Sequence, residues 1–455
     1  MQPKNVVICG AGIAGISAAY HLAVQHGIKD IVIVDDRPPL TLTSDKSTEC
    51  YRNWWPGPGT AMVSLMNRSI DLLEDLAVKN GNTFNLNRRG YLFLTGNEDN
   101  IPGMISKAQE SSNLGAGELR IHRGDPDDPE YKVAAARGFS DSPSGADLIL
   151  DRDLIHQYFP SITEDAIAAL HIRRAGWLSA QQLGSLLLEK AKLHGVQLIE
   201  DRVQNVSISR NRVNGVKLES GGRIPTHNFV NAAGPYIKSI SNTFGVELPV
   251  YCELHLKVST ADHLGIVPRD APMLIWNDPQ ILPWTEEERS IILEDDDSRW
   301  LLDEFPRGVH TRPEGLADSQ IVLMLWEYQT LEVDPVWPPP LDDLYPDLVL
   351  RGLSVMLPGL KSYFGRPPRP FLDGGYYTKT RENRPLIGPL PVEGAWIIGA
   401  LSGFGIMASM ASGELLANHI LGKSLPSYAP AFELSRYEDP AYNKMLDQLD
   451  DFGQL

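Results

Sequence analysis

Three glycines spaced Gly10-x-Gly12-x-x-Gly15 follow the apolar run Asn5–Cys9 directly and open the Ala-rich stretch "GISAAYHL". At that spacing the first glycine permits a tight turn, the second lets backbone approach a pyrophosphate, and the third lets a helix pack on a strand. The start of such a helix presents backbone N–H groups and partial positive charge, here from Ala11, Ile13 and Ala14. Asp35 ends the next β-branched run, Ile31–Val34, where a carboxylate holds ribose hydroxyls; its neighbour Asp36 can take the same place. A second glycine cluster, Ser402-Gly403-Phe404-Gly405, precedes a helical run from about Ile406. Between the two clusters, Ser47–Gly59 reads "STECYRNWWPGPG" and sets Arg52 beside Tyr51, Trp54 and Trp55 on a Pro/Gly-rich loop. Arginine and tryptophan on a loop held by a rigid scaffold belong more often to a binding surface than to a connector.

The elements that position these residues are legible as a strand, a glycine turn, a helix and a second strand, which is one βαβ unit. Further on, a helix, a strand near Val196–Glu200, a hairpin and an apolar strand Phe229–Ala232 follow, and strands alternating with helices imply a parallel sheet. Intervening material differs. "RRGYLFLTG" reads as a strand, Glu98–Gly145 as a polar insertion rich in Gly, Pro and Asp, and residues 246–372 as a β-rich block with acidic loops. Within that block "TEEERSIILEDDD" is most simply a solvated surface.

At 455 residues the chain exceeds one simple core, and 42% hydrophobic with 22% charged residues describes an ordinary globular protein. A net charge of −17 argues against nucleic acid, whose phosphates need a clustered basic surface. Three widely spaced cysteines, Cys9, Cys50 and Cys252, build neither a disulfide framework nor a zinc site, and His and Cys lack metal-ligand spacing elsewhere. The odd cysteine count and an N-terminus that enters a strand almost at once suggest a reducing, cytoplasmic setting without a signal peptide. The uncharged run Ala395–Gly413 is broken by "LSGFG" and reads as strand, turn and buried helix, not as a membrane span.

The glycine motif serves NAD and FAD alike. The C-terminal third, "YYTKTRENRPLIGP" (Tyr376–Pro389) followed by "AWIIGALSGFGIMASMASGELLANHI", resembles the D-amino-acid oxidase, glycine oxidase and sarcosine oxidase (DAO) family of FAD enzymes, nearest the sarcosine oxidase branch. "GISAAYHL", "GWLSAQQL" and "NAAGPYIKSI" extend the resemblance over most of the chain. It implies a discontinuous Rossmann-like FAD-binding domain of glutathione-reductase type, α/β in class, with a second mixed β-sheet substrate domain. Residues 1–88, 151–245 and 373–455 would form the first, with the strand and insertion at 89–150 and the block 246–372 forming the second. Cofactor contacts are expected from the Gly10–Gly15 turn, Asp35, Asp36, Arg37, Ser47, Thr48, Val203, Ala233, Gly234 and the segment Gly403, Phe404, Gly405, Ile406, Met407. By the same resemblance Arg52 binds a substrate carboxylate and Tyr377 lies near the substrate, while the character of Tyr51, Trp54 and Trp55 suits either an aromatic wall that holds an amine by cation–π attraction or a hydrophobic hinge between domains.

The pattern also fails at several places. Two lysines of sarcosine oxidase, one for the carboxylate and one for oxygen, fall on Met407 and Met324, which sets dehydrogenase against oxidase. The cysteine that tethers flavin in some relatives falls on Gly375, so FAD is expected to be non-covalent. The family acid of "T-x-D" becomes Glu382, and His255, His310, Arg312 and Tyr328 are candidates for polarity in the pocket. The expected reaction is oxidation of a C–N bond in an amine or N-substituted amino acid, with hydride passing to flavin, hydrolysis of the imine, and O2 or another acceptor downstream. A 2-hydroxy acid oxidoreductase and a flavin-binding protein without catalysis are the alternatives.

Overall fold

The β-branched runs behave as strands covered on both faces, which is why they read as continuous apolar stretches. A computed structural model describes residues 5–315 and 318–448. Among the described residues a six-stranded sheet runs in the order Leu386–Pro389, Ala395–Gly399, Phe229–Asn231, Val6–Cys9, Ile31–Asp35, Gln197–Glu200. Each neighbouring pair is parallel except the first, Leu386–Pro389 with Ala395–Gly399. Helix Ile13–Tyr20 packs against helices Ala180–Leu193 and Gly405–Ile420, and the last also packs on Ala61–Lys79. The close approach of the first and last of these helices depends on Gly413, where an added Cβ would lie 2.3 Å from the Ser17 hydroxyl. That hydroxyl instead donates to the Ser409 carbonyl at 2.8 Å.

A second, mixed sheet has nine strands, from Phe371–Lys379 and Tyr251–Ala261 at one side to Ala146–Ile149 and Leu119–His122 at the other. Its long antiparallel pair runs in register from Tyr251 opposite Lys379 to Ser259 opposite Phe371. One face carries Trp276, Val258 and Met324 into a core under helix Tyr345–Met356. The other face turns Tyr91, Ile172, Met273 and Ile275 into the core of the nucleotide-type domain. The two cores therefore share one sheet as their wall.

Three segments depart from the sequence reading. Glu98–Gly145 is not a plain insertion: it contains helix Ile101–Ser111 and strand Leu119–His122, the latter paired in parallel with Ala146–Ile149 at the sheet edge. Glycine and proline dilute the apolar period of that helix, which hides it. Strand Ala168–Ile172 joins the nine-stranded sheet between Tyr91–Thr95 and Ala146–Ile149, although it lies in a stretch assigned to the other domain. The acidic segment is solvated as expected, but instead of a loop it forms helix Glu286–Glu294 behind a capping box in which Thr285 and Glu288 satisfy each other's backbone N–H groups. The uncharged run resolves into strand Ala395–Gly399, a turn, and helix Gly405–Ile420, and no helix among the described residues is long and apolar enough to cross a membrane.

Candidate functional site

The cleft begins where the first strand meets its helix. Gly10 holds a φ of +112°, and a Cβ there would lie 2.3 Å from the Ala232 carbonyl oxygen of the neighbouring strand end. Gly15 faces Gly10 so closely that a Cβ would sit 2.0 Å from the Gly10 oxygen. Asp35 accepts the Ala11 N–H at 2.6 Å and the Arg37 N–H at 2.9 Å, which opposes the rise that burial imposes on its pKa. Asp36 also meets a surface partner: Arg202 donates to it at 2.7 Å through Nε, and Arg202 is 57% exposed. Arg37 lies over the Trp337 ring at 5.4 Å. From this end a cavity of about 510 Å³ extends past Asp35, Asp36 and Arg37 to Val203, Ala233 and Gly234.

A second cavity of about 80 Å³ continues it. Gly12, Thr43, Ser44, Ala232 and Gly234 line both, so the two form one cleft. Ile13, Ala14 and Ser47 line the continuation, and its far wall is Tyr377, Gly403, Gly405 and Ile406. Two helix starts thus open on one space. Gly12 precedes helix Ile13–Tyr20 and Phe404 precedes helix Gly405–Ile420, and neither supplies a side-chain cap. For the first helix the cap comes from a loop: the Ile13 N–H donates to the Ser44 hydroxyl at 3.0 Å. Uncapped N–H groups and the helix dipole both favour negative charge in such a space. Gly403 is required by contact, since a Cβ there would lie 2.4 Å from the Tyr377 ring.

The loop bearing Thr43, Ser44 and Ser47 is tied to both sheets. Thr43 donates to the Tyr376 carbonyl at 2.8 Å, Lys46 pairs with Asp373 at 2.7 Å, and Lys257 donates to the Asp45 carbonyl at 2.9 Å. Lys46 also packs over Gly375, where a Cβ would meet its own Cβ at 2.7 Å. The position that carries a tethering cysteine in some relatives therefore has no room for a side chain in this arrangement.

Arg52 is 6% exposed and sits over two rings, Trp55 at 4.8 Å and Tyr91 at 5.8 Å. Trp55 in turn meets Phe404 edge-on at 5.1 Å. The guanidinium is thereby one aromatic layer from the glycine turn at the rear of the cleft. It lines a separate cavity of about 210 Å³, walled by Trp54, Phe93, Leu170 and Ile172. Tyr51 points elsewhere, its hydroxyl donating to the Asn87 carbonyl at 2.7 Å in the core.

Behind Tyr377 lies a buried charge network. The His255 ring stacks on Tyr377 with centroids 3.9 Å apart. Its Nε2 lies 3.1 Å from Glu253 and its Nδ1 3.0 Å from Glu327, while Lys379 pairs with Glu253 at 2.6 Å. Burial alone would lower the His255 pKa, but Glu327 and Glu253 outweigh it and raise it above the ordinary imidazole value. Burial likewise pushes up Glu327, yet the imidazolium brings it down to about 2. Desolvation holds the Tyr377 phenol protonated. His310 has the opposite fate: it is buried, contacts the Gly308 carbonyl at 2.8 Å, and its pKa is lowered.

Other expected residues lie outside the cleft. Thr48 is buried with its carbonyl accepting from Arg312 at 2.7 Å, and Arg312 is itself buried against Glu314. Met407 packs in the core of the nucleotide-type domain and Met324 in the core beneath the second sheet, because both point along apolar element faces. Neither supplies a polar atom to the cleft. Phe404 packs on Trp55 while its glycine neighbours line the space. Tyr328 borders a cavity of about 190 Å³ near His255 and Glu327, on the side of the network away from the cleft. Glu382 is no pocket acid: Arg436 at 2.7 Å, Tyr437 at 2.8 Å and Tyr442 at 3.0 Å surround it and fasten the C-terminal segment. Thr43, Ser44 and Thr378 are cleft residues that the sequence reading missed; the hydroxyl-rich run "TLTSDKST" was the available signal for the first two, and the strand "YYTKT" for the third.

A family model described as "DAO: FAD dependent oxidoreductase" matches residues 5–419. Among curated proteins, the mitochondrial dimethylglycine dehydrogenase of Rattus norvegicus is 24% identical over 275 residues, covering 59% of this chain and 28% of that one. The chain spans under a third of the length of the curated relatives it matches. Among solved structures, L-proline dehydrogenase from P. horikoshii superposes with a TM-score of 0.72 at 20% identity, covering 96% of this chain and 98% of that one. Glycine oxidase from Geobacillus kaustophilus gives a TM-score of 0.72 at 15% identity, with 96% and 99% covered. These superpositions show a shared fold.

Proposed function

The chain belongs to the DAO family of FAD-dependent oxidoreductases, and from that premise we propose that it oxidises the C–N bond of an amine or N-substituted amino acid. The observation that carries the reading is one cleft onto which two helix starts open, the first behind Gly12 and the second behind Phe404. An elongated cofactor with a diphosphate at one end and a ring that takes up electrons at the other suits that charge pattern. Its fit is supported by Gly10 and Gly15, which leave backbone in reach, and by the continuity of the two cavities. The Gly10–Gly15 turn and Asp35 would hold the front, Val203, Ala233 and Gly234 the side, and Gly403 to Ile406 the rear. Bound FAD supplies the two-electron acceptor.

The chain's own residues supply orientation and field. Arg52 binds a substrate carboxylate, with Trp54 and Phe93 excluding water around it. Tyr377, kept protonated and held by the His255 ring, presents a fixed wall to the cleft. The helix start at Gly405 favours negative charge where electrons arrive. Among the described residues the cleft lining supplies no strongly basic side chain near Tyr377, so an amine that arrives neutral suits the reaction best. The relatives' names, a dehydrogenase of dimethylglycine and one of L-proline, agree with amine substrates.

Anaerobic mixing of the flavin-loaded protein with a panel of secondary and tertiary amino acids tests this. Bleaching at about 450 nm by at least one of them is expected. A protein that carries FAD yet is reduced by none of them is not an amine oxidoreductase, and 2-hydroxy acids then become the next panel.

A further inference from the structure

The hydroxyls around the rear cavity are not alike. Thr43 donates to the Tyr376 carbonyl and Thr378 to the Gly234 carbonyl at 3.3 Å, while Ser44 accepts the Ile13 N–H and Ser47 accepts the Glu49 N–H at 3.0 Å. Two others on the same lining, Tyr376 and Ser402, have hydroxyls with no hydrogen-bond partner among the described residues. Each residue is only 4% exposed. A buried hydroxyl left unpaired costs free energy, so a fold that keeps one in the wall of a cavity has a use for it there.

Ser402 carries a second cost. Its φ is +46° and that of Ala400 is +51°, in the left-handed region where glycine is at ease and an L side chain is strained. The turn is fixed from both sides: the Ser402 N–H donates to the Thr378 carbonyl at 2.9 Å, and the Phe404 N–H to the Leu401 carbonyl at 3.0 Å. Glycine stands at 403 and 405, yet at 402, where it would relieve the strain, the chain bears a hydroxyl. Tyr376 belongs to strand Phe371–Lys379, and its carbonyl is held by Thr43, the residue that lines both parts of the cleft.

We infer that the hydroxyls of Tyr376 and Ser402 are hydrogen-bond donors to the bound cofactor, Ser402 at the electron-accepting ring and Tyr376 on the side of the loop Thr43–Ser47. The inference rests on the reading of this cleft as the FAD site. Because Ser402 adjoins the turn Gly403–Gly405 at the rear, its donor favours the negative charge that arrives with electrons. It therefore sets reduction potential as well as affinity, whereas Tyr376 contributes affinity alone.

The holoenzyme tests this by binding and by potential. In Tyr376→Phe and Ser402→Ala the FAD dissociation constant, read by equilibrium dialysis, is expected to rise by about two- to tenfold per hydroxyl. Ser402→Ala should lose a further factor of about ten for reduced over oxidised flavin, a potential lower by about 30 mV for a two-electron couple. Tyr376→Phe should leave the potential where it is. The variants' deficit in melting temperature should grow as FAD is added, since only the loaded form loses a bond. A deficit that is the same at every FAD concentration means that the hydroxyls serve the fold, and it overturns the inference. So does a Ser402→Ala potential equal to wild type. A wild-type protein that takes up no FAD would refute the reading of the cleft itself, whereas wild-type uptake matched by both variants refutes only the two assignments.

Discussion

The two ends of the cleft are built by different means. The front is backbone: a positive-φ glycine, two contacts too close for a Cβ, and a strand-end carboxylate holding N–H groups. The rear and the recess beyond it are side chains from distant strands that meet by register and stacking, as His255, Tyr377, Glu253 and Glu327 do. Backbone sites tolerate no substitution but need few partners. Side-chain sites tolerate many single changes, each of which shifts a field or a position without abolishing the fold.

The sharpest way to break that contrast is Gly15→Val. With a Cβ required 2.0 Å from the Gly10 oxygen, the βαβ turn cannot close, and a loss above about 3 kcal/mol is expected. Purified protein should lack both flavin absorbance and a cooperative melt. If it melts normally with FAD bound, the front is not the rigid end. At the other end, Arg52→Gln should keep its flavin while kcat/KM for carboxylate substrates falls by about 10- to 150-fold, the equivalent of about 1.5–3 kcal/mol for a charged hydrogen bond.

A smaller effect comes from His255→Gln, and it depends on pH. His255 has its folded pKa raised above its unfolded value of about 6.5, so its contribution is complete below that pH and fades as pH climbs through the raised value. The gap in melting temperature between wild type and variant should therefore be wide at pH 6 and narrow by pH 9. A constant gap would mean that the ring acts by packing alone. The smallest change belongs to Arg202→Ala, whose ion pair with Asp36 is solvent-exposed; stability should move by under about 1 kcal/mol in chemical denaturation.

The same contrast explains what was legible in the sequence. The front is written in contiguous letters, because glycine spacing and β-branched runs act within one supersecondary unit. Val6–Cys9, Ile31–Asp35 and Phe229–Asn231 accordingly fall where the pattern puts them. The network behind Tyr377 is not contiguous. Glu253 reaches Tyr377 only because Tyr251–Ala261 pairs antiparallel with Phe371–Lys379, and no local spacing encodes that register. Met324 and Met407 were placed in the pocket by resemblance, yet each lies on an element face that turns into apolar core. Helix Ile101–Ser111 is equally illegible, because the glycine and proline in it break its apolar period.

The hydroxyl loop has a consequence for how the protein is made. Ser44 caps the first helix, but Thr43 and Lys46 are fastened to the strand Phe371–Lys379, more than three hundred residues later. During synthesis the glycine turn emerges early and its lid has nothing to clip to until that late strand leaves the ribosome. Closure of that loop over a cofactor is therefore expected to wait for the late strand, and a nascent chain stalled before it should stay colourless, however well its first βαβ unit had folded.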